Sequence, residues 1–358
     1  MKHFDTIKNF IQKYDRLLSL GALSFGFIVD SLTLSRIDLW FDNLILFSYL
    51  TLAGGSLILI NVFEHPKVQK LFPFVMQYAY GGLFSGYVIF YSRSASLSGN
   101  LAFIFVIFAL LIGNEFFRER YTKLVFQLSI FYIAVFSFSI FFIPVVLGKM
   151  GAWIFILSGV ASLFVIGGIV HLLLFLMRKR GNKHKIDIYR NKIFTIVIGI
   201  YVLFNILYFT NIIPPIPLSL KEFGIYYDLT KTDSGNYIAS SELIPWYRFD
   251  KKDEIKYTSG MTLYGYSAVF APTKIEGEIF HKWKYFDKDK NEWVVRSVLS
   301  FPIIGGRDGG FRGFTFKKNL EPGKWRVEVT TNRGQVLGGR TFTIVPSITA
   351  PTLVENVL

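Results

Sequence analysis

Residues 151–177 read GAWIFILSGVASLFVIGGIVHLLLFLM, and residues 193–213 read IFTIVIGIYVLFNILYFTNII. The first run has His171 as its only titratable residue, and the second run carries no charge. A helix needs about 20 apolar residues to cross a hydrocarbon core of about 30 Å, so each run is long enough to span a bilayer. Between the runs, seven Lys or Arg lie from Arg178 to Lys192. We interpret this basic segment as an orientation signal between two spans rather than as a ligand site.

The composition also favours a membrane protein. Of the 358 residues, 52% are apolar and 38 are Phe, and the mean hydropathy is +0.41. The chain has no cysteine, which excludes disulfides, thiolate metal sites and cysteine nucleophiles. The zinc-protease, serine-elbow and Walker motifs are also absent from the sequence. We therefore predict a protein that is not an enzyme and that carries no cofactor or metal.

Seven apolar runs predict a seven-helix transmembrane domain over residues 17–213. The first run resembles the apolar core of a signal peptide, but no small-residue cleavage site follows and Asp30 closes it. We interpret it as an uncleaved helix, preceded by a cytoplasmic amphipathic leader over residues 1–16. The seven runs are Leu17–Val29, Leu44–Phe63, Leu71–Tyr91, Leu101–Phe117, Leu124–Leu147, Ala152–Met177 and Ile193–Ile213.

The Lys and Arg residues in alternate loops predict the orientation. One side has four before the first run, two in residues 64–70, three in RERYTK and seven in the basic segment. The other side has three, Arg36, Arg93 and Lys149. Because Lys and Arg concentrate in cytoplasmic loops, the N-terminus is predicted inside. After seven crossings, everything beyond Ile213 is predicted to be extracytoplasmic.

Few polar residues interrupt the apolar runs. Asn114, Glu115 and His171 are candidates for a polar site in the bundle, because burying such groups costs several kcal/mol. The alternative is that Glu115 and His171, both near the predicted cytoplasmic side, reach the headgroup region. Gly82 and Gly86 are four residues apart, a spacing that lets helices pack closely.

The predicted outer loop DSLTLSRIDLWFDN brings several charged residues together: Asp30, Arg36, Asp38 and Asp42. Three carboxylates could bind a cation, but they lack the spacing of a calcium loop. We favour a solvated connector with internal salt bridges.

The composition changes after NIIPPIPLSL, where Pro214, Pro215 and Pro217 stop the last helix. We predict a membrane-proximal linker over residues 214–260, with the aromatic segment around Trp246 at the membrane surface. Residues 261–358 are predicted to form an all-β immunoglobulin-like sandwich, because short β-rich segments alternate with turn signals. The six segments are LYGYSAVF, GEIFHKWKYF, EWVVRSVLSF, FRGFTFKK, KWRVEVTT and VLGGRTFTIV.

The same region resembles a known family. The ordered series HKW at residues 281–283, GGR ending at Arg307, FRGFTFKK, PGKWRVEV and GQVLG before FTIV resembles a bacterial domain of unknown function, number twenty-nine fourteen in the family catalogue. The resemblance covers about Val269 to Val345. A multi-span region in front of such a domain also occurs in that family, but the resemblance implies no activity.

One group of residues in this domain suits a ligand. Arg307 and Arg312 lie within a stretch that has five glycines, and His281 and Trp283 share a face of a neighbouring predicted strand. Arginine and aromatic side chains favour an anionic or sugar-like partner. The alternative is that Trp283 belongs to the core, that the glycines serve turns, and that Arg307 pairs with a neighbour.

We therefore expect a multi-pass protein of the bacterial inner membrane. Its C-terminal domain would recognise a cell-wall glycan, another anionic ligand or an envelope protein. Nucleic acid is not expected as a partner, because the region after the last span is only mildly basic. The alternative function is a transporter or lipid-handling protein that uses Asn114, Glu115 and His171. A sensor is least favoured, because no cytoplasmic output domain is evident.

Overall fold

The structure is a computed structural model with two compact units, one helical and one built of β-strands. It describes residues 21, 23–36, 38–93, 97–116, 123–180, 183–213, 218–233, 235–243, 253–272, 276–304, 309–349 and 351–358. For residues 97–100, 115–116, 183–190, 276 and 304 it describes the backbone alone. The predicted leader, the three prolines and Trp246 lie outside the described residues.

The helical unit contains seven helices within the described residues. They are α1 (Leu23–Thr33), α2 (Trp40–Val62), α3 (Pro66–Arg93), α4 (Leu97–Phe116), α5 (Leu124–Leu147), α6 (Ala152–Lys179) and α7 (Lys183–Phe209). Each one overlaps an apolar run of the sequence.

Four helical segments are long and apolar enough to cross a membrane: Trp40–Val62, Leu124–Leu147, Ala152–Lys179 and Asn191–Phe209. Leu23–Thr33 and Leu101–Asn114 are apolar but shorter. The 28-residue helix α3 contains Lys67, Lys70 and Pro73 in its first turns. Seven crossings therefore stay a prediction.

The basic segment differs from the expected loop. Helix α6 continues to Lys179, and α7 begins at Lys183, so most of the segment is helical. Lys and Arg have good helix propensity, and a helix can therefore extend beyond its apolar run.

Helices α2 and α3 approach closely at two glycines. A Cβ added to Gly82 would lie 2.5 Å from the Tyr49 ring, and one added to Gly86 would lie 2.6 Å from Leu46. Both neighbours belong to α2, so the absence of side chains permits this contact. The packing role predicted for the two glycines is confirmed.

Helix α3 also packs against α5 through three buried tyrosines. The hydroxyls of Tyr80, Tyr87 and Tyr91 donate to backbone carbonyls of α5, at Gln127 (3.4 Å), Ala134 (2.8 Å) and Ser137 (3.1 Å). The acceptors advance along α5 in the same order as the donors along α3. The two helices therefore run parallel.

The loop between α1 and α2 is a salt-bridged connector. Arg36 donates two hydrogen bonds to Asp38, of 3.0 and 2.6 Å. The buried Asp42 carboxylate accepts from the backbone N–H groups of Ser35 and Arg36, at 2.9 and 3.0 Å. Among the described residues, no group of three His, Asp or Glu is placed to hold a metal ion. These contacts favour the connector over a cation site.

The β unit contains eleven strands within the described residues. They are β1 (Ser219–Tyr226), β2 (Asp228–Lys231), β3 (Tyr237–Glu242), β4 (Glu254–Tyr257), β5 (Thr262–Phe270), β6 (Glu276–Asp287), β7 (Glu292–Ile304), β8 (Phe311–Lys318), β9 (Gly323–Thr331), β10 (Val336–Pro346) and β11 (Leu353–Val357). Each of the six predicted segments coincides with one strand from β5 to β10.

The strands form three sheets. Sheet A has the order β1-β5-β8, sheet B the order β11-β3-β2, and sheet C the order β4-β10-β9-β6-β7. One core cluster joins Leu263 of sheet A to Trp283, Trp325 and Val327 of sheet C. A second cluster joins Tyr266 and Ala268 of sheet A to Leu229, Tyr237 and Ala239 of sheet B. Sheets A and C form a β-sandwich, and sheet B packs on the other face of sheet A.

The predicted linker over residues 214–260 is corrected by these strands. β1 pairs antiparallel with β5 from Ser219 to Tyr226, and β4 pairs parallel with β10. β2 and β3 belong to sheet B. A register shift between Leu220 and Glu222 breaks the alternation of β1, and β2 and β4 have four residues each. Such short or irregular strands give little periodic signal.

Candidate functional site

A buried histidine occupies the interior of the β-sandwich. His281 lies in β6, opposite Leu299 of β7 and Val329 of β9, and is 0% exposed. Its Nε2 lies 2.9 Å from Ser267 Oγ, and its Nδ1 lies 2.9 Å from Thr315 Oγ1. Both partners belong to sheet A, so the imidazole links the two sheets.

Trp283 completes this network. Its indole N–H donates to Thr315 Oγ1 over 3.2 Å, and the side chain is fully buried. Burial lowers the pKa of His281 from 6.5 to about 4, because a charged imidazole would lose its hydration. The ring is therefore neutral at pH 7, with one nitrogen as donor and the other as acceptor. We call His281, Trp283, Ser267 and Thr315 the buried polar network.

The buried polar network corrects one part of the predicted ligand site. His281 and Trp283 face the core, so neither side chain can contact a ligand at the surface. The core position described as the alternative for Trp283 is the one observed. Ser267 and His281 have the separation of a nucleophile and its base, but both are 0% exposed. A substrate cannot reach them in this conformation.

Arg312 connects sheet A with sheet B. Its Nη1 donates to Asn236 Oδ1 and to the backbone carbonyl of Leu358, each at 3.0 Å. Asn236 immediately precedes β3, and Leu358 immediately follows β11. These bonds give Arg312 a structural role between the layers.

The other part of the predicted ligand site is described incompletely. Arg307, Gly305 and Gly306 lie outside the described residues. Gly310 has a φ of 87° and its added Cβ would meet the β5 backbone at 2.9 Å, so glycine is required there. This supports a turn role for that glycine.

The polar candidates of the helical unit do not form one site within the described residues. Asn114 is buried, and its amide donates to the Gln77 carbonyl at 2.9 Å. His171 is exposed on α6. The Glu115 side chain lies outside the described residues. Asn114 therefore has a packing contact, and His171 faces outward from the unit.

Sequence reasoning missed one partly exposed cluster of cations and aromatic rings, in which Trp325 is buried. Arg296 and Lys317 lie beside the rings of Tyr285 and Trp325, at 5.4 and 5.8 Å from the respective ring centroids. The sequence shows these residues in four separate segments. Alternation along FRGFTFKK places Thr315 and Lys317 on one face, but it does not show that sheet C covers that face.

The C-terminal unit contains a recognisable family segment. Residues 276–344 match the family described as Protein of unknown function (DUF2914). The match runs from β6 into β10 and confirms the resemblance predicted from the sequence. It includes His281, Trp283 and Lys317.

Other comparisons add little. No curated protein matches the chain. A β-glucosidase from Listeria innocua in complex with isofagomine is similar over 35% of this chain and 16% of its own, with 13% identity and a TM-score of 0.20. An immunoglobulin-like protein from Pseudomonas aeruginosa is similar over 36% of this chain and 96% of its own, with 12% identity and a TM-score of 0.20. TM-scores this low support no conclusion about this chain.

Proposed function

We propose that this chain is an envelope protein of the bacterial inner membrane. Its helices anchor the C-terminal β unit, which acts as an extracytoplasmic recognition module without catalytic activity. The module would bind a glycan, a polyanion or another envelope protein.

One observation supports the proposal that the helices form a membrane anchor. If successive helices cross the membrane in opposite directions, certain helix ends must lie on the same side, and the observed contacts join such ends. Arg180, beyond the end of α6, donates to the Val62 carbonyl at the end of α2 and lies 4.1 Å from the centroid of the Phe63 ring. Asn61, also near the end of α2, donates to Gln127 near the start of α5. With alternating crossings, these three ends belong on one side.

Contacts at the opposite helix ends agree with that arrangement. Arg93 ends α3 and donates to the carbonyls of Leu34 (2.7 Å), Ser35 (2.6 Å) and Ser31 (3.2 Å) around the end of α1. The parallel direction of α3 and α5 also fits, because odd-numbered spans cross in the same direction. These contacts support α3 as a crossing despite its lower apolar content, since α5 carbonyls accept its tyrosine hydroxyls.

The charge distribution then supports the orientation. The side that contains Arg180 also contains the basic segment, whereas the side of Arg93 has few cations. An odd number of crossings from a cytoplasmic N-terminus brings the β unit to the outside.

A recognition role is favoured over catalysis by the use of polar groups in the β unit. The contact between Ser267 and His281 is buried from solvent. Arg312 donates hydrogen bonds that join sheets A and B. Charged and aromatic groups lie instead at the edge of the sandwich, where Arg296 is exposed and Tyr285 is partly exposed. Such groups suit binding of a large partner.

The orientation is testable because the natural sequence has no cysteine. Lys290→Cys introduces a thiol in the turn between β6 and β7, and Lys67→Cys introduces one at the start of α3. A membrane-impermeant maleimide should label Lys290→Cys on intact spheroplasts, but Lys67→Cys only after permeabilisation. The reverse labelling pattern would overturn the proposed topology.

The recognition role is tested with the purified full-length chain in detergent. The chain is applied to arrays of neutral and anionic bacterial glycans and to immobilised envelope proteins. We expect saturable retention of at least one class. Retention of none would remove the support for a recognition module.

A further inference from the structure

Two cations, Arg296 and Lys317, lie at the edge of the β-sandwich where an edge strand of each sheet ends the layer. β7 is the last strand of sheet C, and β8 is the last strand of sheet A. Lys317 of β8 donates from its ammonium to Ser297 Oγ of β7, over 2.5 Å. This contact joins the two edge strands.

Arg296 owes its position to a β-bulge in β7. Trp283 pairs with Ser297 and Lys284 pairs with Val295, so Arg296 is the extra residue between them. A bulge redirects the side chain of the extra residue. The guanidinium carbon of Arg296 lies 5.4 Å from the centroid of the Tyr285 ring.

Two aromatic rings hold these cations. The rings of Tyr285 and Trp325 meet edge to face, with centroids 5.2 Å apart. The Lys317 ammonium lies 5.8 Å from the centroid of the Trp325 ring. Cation–π attraction to such rings stabilises a cation without neutralising its charge.

The cluster carries more positive than negative charge. Arg296 pairs with Glu321 at 3.4 Å, and the two side chains are 42% and 58% exposed. Lys317 has a hydroxyl as its acceptor, and no carboxylate among the described residues forms an ion pair with it. Burial, followed by the Arg296 charge, lowers the pKa of Lys317, and the Glu321 carboxylate opposes this lowering in part. An anion between the two cations would relieve their repulsion.

We propose that Arg296 and Lys317 together bind an oxyanion, a carboxylate or a phosphate, on the polymer that the extracytoplasmic module recognises. This inference rests on the proposed recognition function and gives it a chemical class of ligand. Arg offers a planar fork of donors that matches the two oxygens of such a group, and Lys adds a compact charge. The partly exposed Tyr285 ring beside Arg296 can contact apolar parts of the polymer backbone, whereas the Trp325 ring is buried.

The test uses the full-length chain in neutral detergent and three polymers: polygalacturonate, inorganic polyphosphate and uncharged dextran. We expect saturable binding of polygalacturonate or polyphosphate, and none of dextran. Arg296→Gln and Lys317→Gln should each weaken that binding by roughly tenfold or more, since each removes a charged contact. Lys288→Gln is the matched control, because it removes the same charge from an exposed turn.

A separate readout guards against misfolding of the Lys317 variant. Lys317→Arg keeps the charge and should retain most of the binding. In the natural chain, the bound polymer should protect Lys317 from amine acylation, measured by mass spectrometry, while Lys288 stays reactive.

The outcomes separate this inference from the proposed function. If a polymer binds equally well to Arg296→Gln, Lys317→Gln and the natural chain, the site is wrong while the recognition function stands. If neither anionic polymer binds the natural chain, the anion inference is overturned, and the glycan and protein arrays decide the function independently. Preference between the two polymers identifies carboxylate or phosphate as the recognised group.

Discussion

The buried tyrosines of α3 and the buried His281 of β6 satisfy their polar groups differently. In the helical unit, Tyr87 and Tyr91 donate to backbone carbonyls of a neighbouring helix. In the β unit, His281 bonds to the side chains of Ser267 and Thr315. The first arrangement joins side chain to backbone, and the second joins side chain to side chain.

The geometry of the backbone explains this difference. A helical carbonyl directs one lone pair along the helix and can offer the other to a neighbouring side chain. In a sheet, carbonyls lie in the plane of the ladder and point to adjacent strands. His281 lies between two paired strands and therefore bonds to other side chains. Losing one member of such a network leaves its partners buried and unsatisfied, whereas a helical carbonyl keeps its own hydrogen bond.

The largest expected effect is the loss of Trp283 from the β unit. Trp283→Ala removes a fully buried indole and a donor to Thr315, and should destabilise the β unit by about 3–5 kcal/mol. Thermal unfolding of the purified full-length chain measures this loss. Trp293→Ala is the control, because Trp293 is only partly buried, and it should cost less. Equal losses would contradict a special role for the sandwich interior.

The pH dependence of the β unit comes next. His281 has a pKa of about 4 in the folded state and 6.5 as its ordinary value, so the unfolded chain binds the proton more readily. The contribution of neutral His281 to the free energy of unfolding should therefore be fully present above about pH 6.5. It should decrease as the pH falls from about 6.5 to about 4. The loss is on the order of 3 kcal/mol.

His281→Gln isolates this contribution, since carboxylates also titrate near pH 4. The difference in unfolding free energy between the natural chain and the variant should shrink as the pH is lowered through this window. A constant difference would show that the imidazole is not held neutral by burial.

Arg312 tests the attachment of the third sheet. Arg312→Ala removes two hydrogen bonds between sheets A and B and should cost roughly 1.5–3 kcal/mol. Asn236→Ala removes one of those bonds and should cost less. Thermal unfolding and polymer binding are measured on the same samples. A binding defect without a lower melting temperature would restore Arg312 as a ligand residue.

The smallest effect is expected in the helical unit. Tyr87→Phe removes the hydroxyl that donates to Ala134 but leaves the carbonyl its helical bond, so it should cost only about 0.6 kcal/mol. Unfolding in increasing proportions of a denaturing detergent measures the change. A loss as large as that for His281→Gln would contradict the proposed difference between a hydroxyl bonded to a helix carbonyl and a histidine bonded to other side chains.

The predictability of the fold differed along the β unit. β5 to β10 followed from alternating residues and turn signals. β1 to β4 were interpreted as a linker, because short strands and a bulge hide their period. Two of the expected ligand residues, His281 and Trp283, are core residues. Their polar atoms made them candidates, and only their partners in β5 and β8 explain their burial.

The sequence by itself determined the local features: the apolar runs, the asymmetry of basic residues and the six periodic strands. These depend on neighbouring residues and on periods of 3.6 or 2. The tertiary structure decided which faces are covered. Alternation shows that Ser267 and Gly265 share one face of β5 and that Tyr266 lies on the other, but both faces are buried because sheet A lies between two sheets. It also brought Arg296 and Lys317 together from two different sheets. The period of one strand does not determine which strand of another sheet lies beside it.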